Sequence, residues 1–164
     1  MLQLHGRLYH LPAAEIAERS RKLLKLVELE KVANRYTSTY SGGMRRRFDL
    51  ALSLIHNPDV LFLDEPTTGL DPHARQLIWS HLRDLNRDGM TIFLTTHFME
   101  EAENLCERIA IMDKGKIVTE GSIPQLLEKH NANNLEEVFL STTGSGLADE
   151  EANLKASDPY ARRR

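Results

Sequence analysis

At 164 residues the chain is long enough to bury one core, and 27% charged with 41% hydrophobic residues is the balance of a folded globular protein, not a disordered or membrane-spanning one. A formal charge of −3 supplies no positive field to draw in a polyanion, so no nucleic-acid partner is expected. Cys106 is the single cysteine, which excludes an internal disulfide framework or cysteine-based zinc site and points to a reducing, cytoplasmic setting.

Met1-Leu2-Gln3-Leu4-His5-Gly6-Arg7 lacks the long apolar core of a secretory signal, and the chain has no apolar run of about 18 residues. A role at a membrane would therefore need another chain to span it. From Pro12 to about Glu30, Ile16, Leu23, Leu24 and Val27 recur at helical spacing with Glu18, Arg19 and Lys25 on other faces, predicting an amphipathic helix. After the polar break Asn34 to Ser41, a second helical stripe runs through Met44, Phe48, Ala51, Leu52 and Ile55 and ends at Asn57-Pro58. Val60-Leu61-Phe62-Leu63 is apolar at every position, which predicts a short central strand covered on both faces.

Ala74, Leu77, Ile78, Leu82 and Leu85 predict a third helix, from Pro72 to near Asp88-Gly89, with Pro at its start and Gly at its end. Met90 to Thr95 reads as a second strand and Met99 to Cys106 as a short helix, an alternation that implies a parallel α/β sheet. Ile109 to Met112 and Lys116 to Val118 flank Asp113-Lys114-Gly115 as a β-hairpin. Helices around Pro124 to Lys129 and Asn134 to Leu140 follow. Thr142 to Gly146 reads as a linker, and the tail to Arg162-Arg163-Arg164 as weakly ordered. The expected organisation is a helical part over residues 1–56, an α/β part over 57–140, and a linker and tail over 141–164.

Four short segments carry chemistry, and each also has a purely structural reading. Leu61-Phe62-Leu63-Asp64-Glu65-Pro66 delivers two adjacent carboxylates to the carboxyl end of a strand, where α/β sheets place ligands; it is equally an acidic exit from a strand. Pro66 is expected to hold Glu65 extended. Tyr40-Ser41-Gly42-Gly43-Met44 opens a helix with unpaired amides that suit a phosphate, or is an ordinary serine cap. Arg45, Arg46 and Arg47 behind it read as a solvated face. In Thr67-Thr68-Gly69-Leu70-Asp71-Pro72, Asp71 suffices as a helix cap. Thr95-Thr96-His97 ends the second strand and sets an imidazole at the edge that holds Asp64 and Glu65, although a histidine after a strand is often incidental.

The order of these segments over Leu8 to Leu140 resembles the ATP-binding cassette (ABC) ATPase family. The resemblance implies an α/β, partial P-loop NTPase fold: a helical subdomain and a parallel-sheet half with a C-terminal β-hairpin and helices. It implies that Ser41, Gly42, Gly43 and Met44 form the signature that binds nucleotide in trans, and that Asp64 is the Walker B aspartate near Mg²⁺, through water. Glu65 would be the catalytic base, Gly69 to Pro72 the D-loop with Gly69 and Asp71 as its site residues, and His97 the switch histidine. Met44 departs from the commoner Gln, which matters little if the Ser hydroxyl and backbone amides hold phosphate. ATP and Mg²⁺ are the implied cofactors; a second ABC ATPase domain, docked head to tail, and a membrane-spanning permease subunit are the implied partners. The implied location is cytoplasmic, peripheral on the inner face of the cell membrane. Ser41 to Arg47 and Leu135-Glu136-Glu137-Val138-Phe139-Leu140 look most like drug and antibiotic exporters of the daunorubicin-resistance type.

The family's P-loop, Gly, four residues, then Gly-Lys-Ser/Thr, does not occur in these residues; the nearest run, Gly115-Lys116, has Ala110 at the first Gly position and Ile117 after the Lys. The chain is therefore read as a fragment of a transporter ATPase whose isolated form does not hydrolyse ATP. A non-catalytic module that binds a full subunit is the alternative, and a soluble ABC ATPase of translation or repair a third. Val60 to Leu63 and Met90 to Thr95 are expected to lack neighbouring strands.

Overall fold

The structure, a computed structural model, describes residues 1–144, which fall into two units that divide after Thr96.

The first unit begins with three helices, α1 (Leu2–Leu8), α2 (Ala13–Leu26) and α3 (Gly42–Leu54). Pro12, extended at φ −60°, leads into α2, with Glu15 in its first turn and Lys25 in its last to suit the helix dipole. The apolar pattern predicted helix to about Glu30, but the helix stops at Leu26 because Glu28 turns left-handed at φ 55°. Glu30–Val32 is a separate 3₁₀ turn. Sequence periodicity missed α1. Its inward positions are Leu2 and Gly6, one of which has no side chain, so no apolar stripe is written. Gly6 lets α1 approach α2 closely: a Cβ there would lie 2.7 Å from Cγ1 of Ile16.

Leu2, Val27, Leu29, Tyr40, Phe48, Ala51 and Ile55 form the buried cluster among these helices. Tyr40 meets Phe48 edge-on at 5.7 Å between ring centres, and its hydroxyl donates to the Val32 carbonyl at 3.1 Å. Arg19 donates to the Ile55 carbonyl at 2.9 Å, satisfying the C-terminal end of α3.

β1 (Val60–Asp64) then pairs in parallel with β2 (Thr91–Thr95), crossing over through α4 (Pro72–Arg87). The register sets Phe62 beside Phe93 and Asp64 beside Thr95. In α4, Ala74, Ile78, Trp79 and Leu82 are buried. The expectation that β1 is covered on both faces is corrected: Leu61 is buried, but Phe62 and Phe93 are 73% and 61% exposed. An all-apolar run encodes two-sided cover, and among the described residues β1 and β2 form a two-stranded sheet with one face open.

The second unit holds α5 (Met99–Leu105), the antiparallel pair β3 (Ile109–Asp113) and β4 (Lys116–Gly121), α6 (Ile123–His130) and α7 (Leu135–Thr143). Lys114 at φ 47° and Gly115 at φ 77° make the two-residue hairpin turn, whose left-handed positions match the strand twist. Ala102, Ile111, Leu126, Leu135, Val138 and Phe139 form its core. Ser122 and Gln125 close a capping box on α6, and Asn134 caps α7 through the Glu137 amide at 2.9 Å.

The linker expected from Thr142 is corrected: Thr142 and Thr143 are the last turn of α7, and their hydroxyls donate back to the carbonyls of Val138 and Phe139 at 2.8 and 2.9 Å. Threonine hydroxyls that satisfy i−4 carbonyls extend a helix that composition alone reads as loop. Gly144, at φ 68°, ends it. The remainder of the expected linker and the tail lie outside the described residues. Burial pushes the Cys106 thiol up, and the charge of Glu101 adds to that.

Ile16 is β-branched and locked in a helix, so it cannot swing away from a methyl added at Gly6. Gly6→Ala should destabilise the chain by about 1–3 kcal/mol in urea unfolding, despite the higher helix propensity of alanine.

Candidate functional site

The site is built where α3 starts and β1 ends. Ser41, extended at ψ 165°, is the N-cap of α3, and its hydroxyl accepts from the Met44 amide at 3.3 Å. Gly42 faces open space. A Cβ on Gly43 would lie 3.2 Å from Leu70 Cδ2, so the loop after β1 is seated directly against the first turn of the helix.

That loop begins at Glu65. The expectation that Pro66 holds Glu65 extended is corrected: its backbone is left-handed, at φ 46°. Several hydrogen bonds outweigh the local preference. The Glu65 amide donates to the Thr95 carbonyl at 3.0 Å, its carbonyl accepts from the Thr68 amide at 3.3 Å, and an Arg46 guanidinium nitrogen donates to the same carbonyl and to that of Asp64. A non-glycine residue persists in this region when its surroundings over-determine it, and such residues gather at functional sites.

The side chains are held as well. The Thr95 hydroxyl donates to Asp64 Oδ1 at 2.5 Å, leaving an exposed carboxylate of fixed orientation at the strand end. The Thr68 hydroxyl donates to Glu65 Oε2 at 3.1 Å. Gly69, at φ 75°, turns the chain toward α4. Asp71 caps that helix through the Ala74 amide at 3.0 Å, with Pro72 in its first turn.

The reading of Arg45, Arg46 and Arg47 as a solvated face is also corrected. Arg45 donates to the carbonyls of Tyr40 and Ser38, at 3.2 and 3.4 Å. Arg47 reaches the Val27 carbonyl at 3.1 Å and Glu28 at 3.4 Å. Each arginine thus ties α3 to a different segment. A signal was present in the sequence: three cations in the first turns of a helix oppose its dipole, so they are expected to serve neighbouring acceptors.

An open cleft of about 350 Å³ is lined by Gly42, Arg45, Arg46, Asp49, Glu65, Thr68 and Gly69. Of the residues singled out in sequence, Gly42, Glu65 and Gly69 come together here. Asp64 stands beside it on β1, Ser41 and Asp71 cap helices, and Met44 packs against the helical core. His97 begins the second unit, its ring centre 4.1 Å from that of Phe98.

No group of three metal-ligating side chains occurs among the described residues. One fixed, exposed carboxylate nonetheless fits Mg²⁺, which commonly takes one or two carboxylates and completes its octahedron with phosphate and water. No described helix is long and apolar enough to cross a membrane.

Residues 9–101 match the family described as "AAA domain, putative AbiEii toxin, Type IV TA system". Nod factor export ATP-binding protein I of Ralstonia nicotianae is 49% identical over 138 residues, which is 84% of this chain and 43% of that protein. Daunorubicin resistance ATP-binding protein DrrA3 of Streptomyces coeruleorubidus is 43% identical over 147 residues, 90% of this chain and 46% of that protein. The chain therefore spans about half the length of the curated relatives it matches. Among solved structures, an ATP-binding subunit of an ABC transporter superposes with a TM-score of 0.78 at 25% identity, over 86% of this chain and 60% of the other. A dimeric ATP-binding cassette in a post-hydrolysis state, with ADP and Pi, superposes with a TM-score of 0.63 at 32% identity, over 68% of this chain and 49% of the other.

The Ala74 amide holds the Asp71 carboxyl below its ordinary range. A folded-state value below the unfolded one means that this cap contributes fully above the ordinary aspartate value of about 3.9 and fades as pH falls through the lowered one. Asp71→Asn keeps a capping oxygen but not its titration, so its stability should fall less steeply below about pH 4 than that of the parent chain in urea unfolding.

Proposed function

The chain belongs to the AAA-domain family that residues 9–101 match and, by its relatives, to the ABC ATP-binding proteins, and on that premise we propose that it forms part of the ATP-binding and ATP-hydrolysing subunit of an ABC transporter that exports a small molecule. The observation that carries this reading is the cleft in which the glycine-opened start of α3, the Glu65 carboxylate and the Gly69 turn meet.

In this reading Asp64 presents its carboxylate toward Mg²⁺, kept in place by Thr95. Magnesium bound with ATP supplies neutralising charge on the phosphates. Glu65 orients the attacking water and takes its proton, and the Thr68 hydroxyl fixes the carboxylate for that task. His97 takes the part of the switch histidine that the family resemblance implies, a hydrogen-bond donor for phosphate. The Ser41 hydroxyl and the amides of Gly42 and Gly43, backed by the dipole of α3, bind phosphate held by a second ATPase domain docked head to tail. Met44 contributes through its backbone. Gly69 and Asp71 shape the D-loop between the two sites.

The 164 residues contain no P-loop run, so the own-side grip on ATP comes from outside them. The helical residues 1–56 then carry the signature and residues 57–140 the hydrolytic groups. A membrane-spanning permease subunit is the remaining partner, which places the protein at the cytoplasmic face of a membrane. The names of two relatives, for Nod factor export and daunorubicin resistance, support small-molecule export.

Calorimetry of the chain alone with Mg-ATP should show binding weaker than micromolar; micromolar affinity would sink the account of an external phosphate grip. In the assembly that supplies the P-loop, Glu65→Gln should lower kcat by about a hundredfold or more, as expected for loss of a general base. Full turnover in that variant would remove Glu65 from the role.

A further inference from the structure

We propose that Arg46 is a positioning residue for Glu65, tying the backbone of that residue to the helix that bears Ser41, Gly42 and Gly43. The proposal rests on the reading of Glu65 as the base. One nitrogen of the Arg46 guanidinium donates to two consecutive carbonyls, those of Asp64 and Glu65. In an extended strand successive carbonyls point to opposite sides, and one donor cannot serve both. The left-handed turn at Glu65, φ 46°, is what brings them to one side. The turn and the arginine are thus two halves of one arrangement.

Every other hold on Glu65 described above comes from β2 or from its own loop: Thr95 takes the amide, and Thr68 takes the carboxylate. Arg46 adds a hold from α3. It lies three residues beyond Gly43, about 4.5 Å along the helix axis, so a tilt of the first turn is carried to it with little loss. Phosphate engaging Gly42 and Gly43 would therefore be felt at Glu65 through the Arg46 side chain. A guanidinium in the early turns of a helix opposes the dipole, and the two carbonyls are what offset that cost.

The test uses Arg46→Met, which keeps the aliphatic stem without a donor, and Arg46→Lys, which keeps a charged donor. In the full chain labelled for NMR, Arg46→Met should shift the carbonyl carbons of Asp64 and Glu65 and speed exchange of the Glu65 amide. Arg46→Lys should stay closer to the parent. Unmoved carbonyl resonances in Arg46→Met would overturn the proposal. In the ATP-hydrolysing assembly Arg46→Met should lower kcat between about tenfold and about a hundredfold, with KM for ATP changed less than about twofold. Arg46→Lys should recover part of the loss, and Arg46→Met should add nothing on a Glu65→Gln background. Unchanged kcat in Arg46→Met, with Glu65→Gln stalled, refutes the role of Arg46 alone. Full turnover in Glu65→Gln instead refutes the reading of Glu65, while the resonances still decide whether Arg46 holds its backbone.

Discussion

The parallel ladder between β1 and β2 continues one residue past the strand, through the hydrogen bond from the Glu65 amide to the Thr95 carbonyl at 3.0 Å. Much of the site depends on that extra rung. It places Thr95 opposite Asp64, so that the threonine hydroxyl can fix the aspartate, and it anchors Glu65 on one side while its backbone turns left-handed. Without the rung, the pre-proline preference would leave Glu65 extended and continue the strand direction. With it, two adjacent carboxylates serve different places: Asp64 at the strand edge, Glu65 into the cleft.

The three arginines behind Gly43 show which of two electrostatic effects prevails. A cation near a helix N-terminus costs about 0.3–1 kcal/mol at an exposed site. A hydrogen bond from a charged donor contributes about 1.5–3 kcal/mol. Arg45, Arg46 and Arg47 each have at least one carbonyl partner, so the hydrogen bonds win at every position. The consequence is a helix whose start faces open space at Gly42 yet is tied to Tyr40, to Val27 and to the end of β1.

Elements with a repeated apolar signal were legible in the sequence. The two strands, the crossover helix α4 with its Asp71-Pro72 start, and the Lys114-Gly115 hairpin all follow from local spacing and turn chemistry. What escaped was set by tertiary partners. α1 uses a glycine as its second inward residue, α7 recruits threonines as helix, and Glu65 adopts a conformation dictated by Thr95 and Arg46. At the site, the distinctive order of motifs is what suggests roles for particular residues, whereas the arginines were misjudged, since by composition alone a run of like charges looks the same whether solvated or committed to carbonyls. The rule that charge runs are solvated faces weighs composition only; the dipole at the start of α3 was the missing term.

The open face of the β1–β2 pair bears on the same chemistry. Along a strand, residues two apart share a face, so Phe62 and Asp64 lie on one side of β1, opposite Leu61. In register beside them are Phe93 and Thr95. The apolar pair and the aspartate with its threonine thus occupy one continuous surface. Burying a phenylalanine contributes about 1.5–3 kcal/mol, so covering Phe62 and Phe93 is worth several times the net value of an ordinary hydrogen bond. The strand pleat thus sets the exposed phenylalanines and the fixed carboxylate side by side on one face of the sheet.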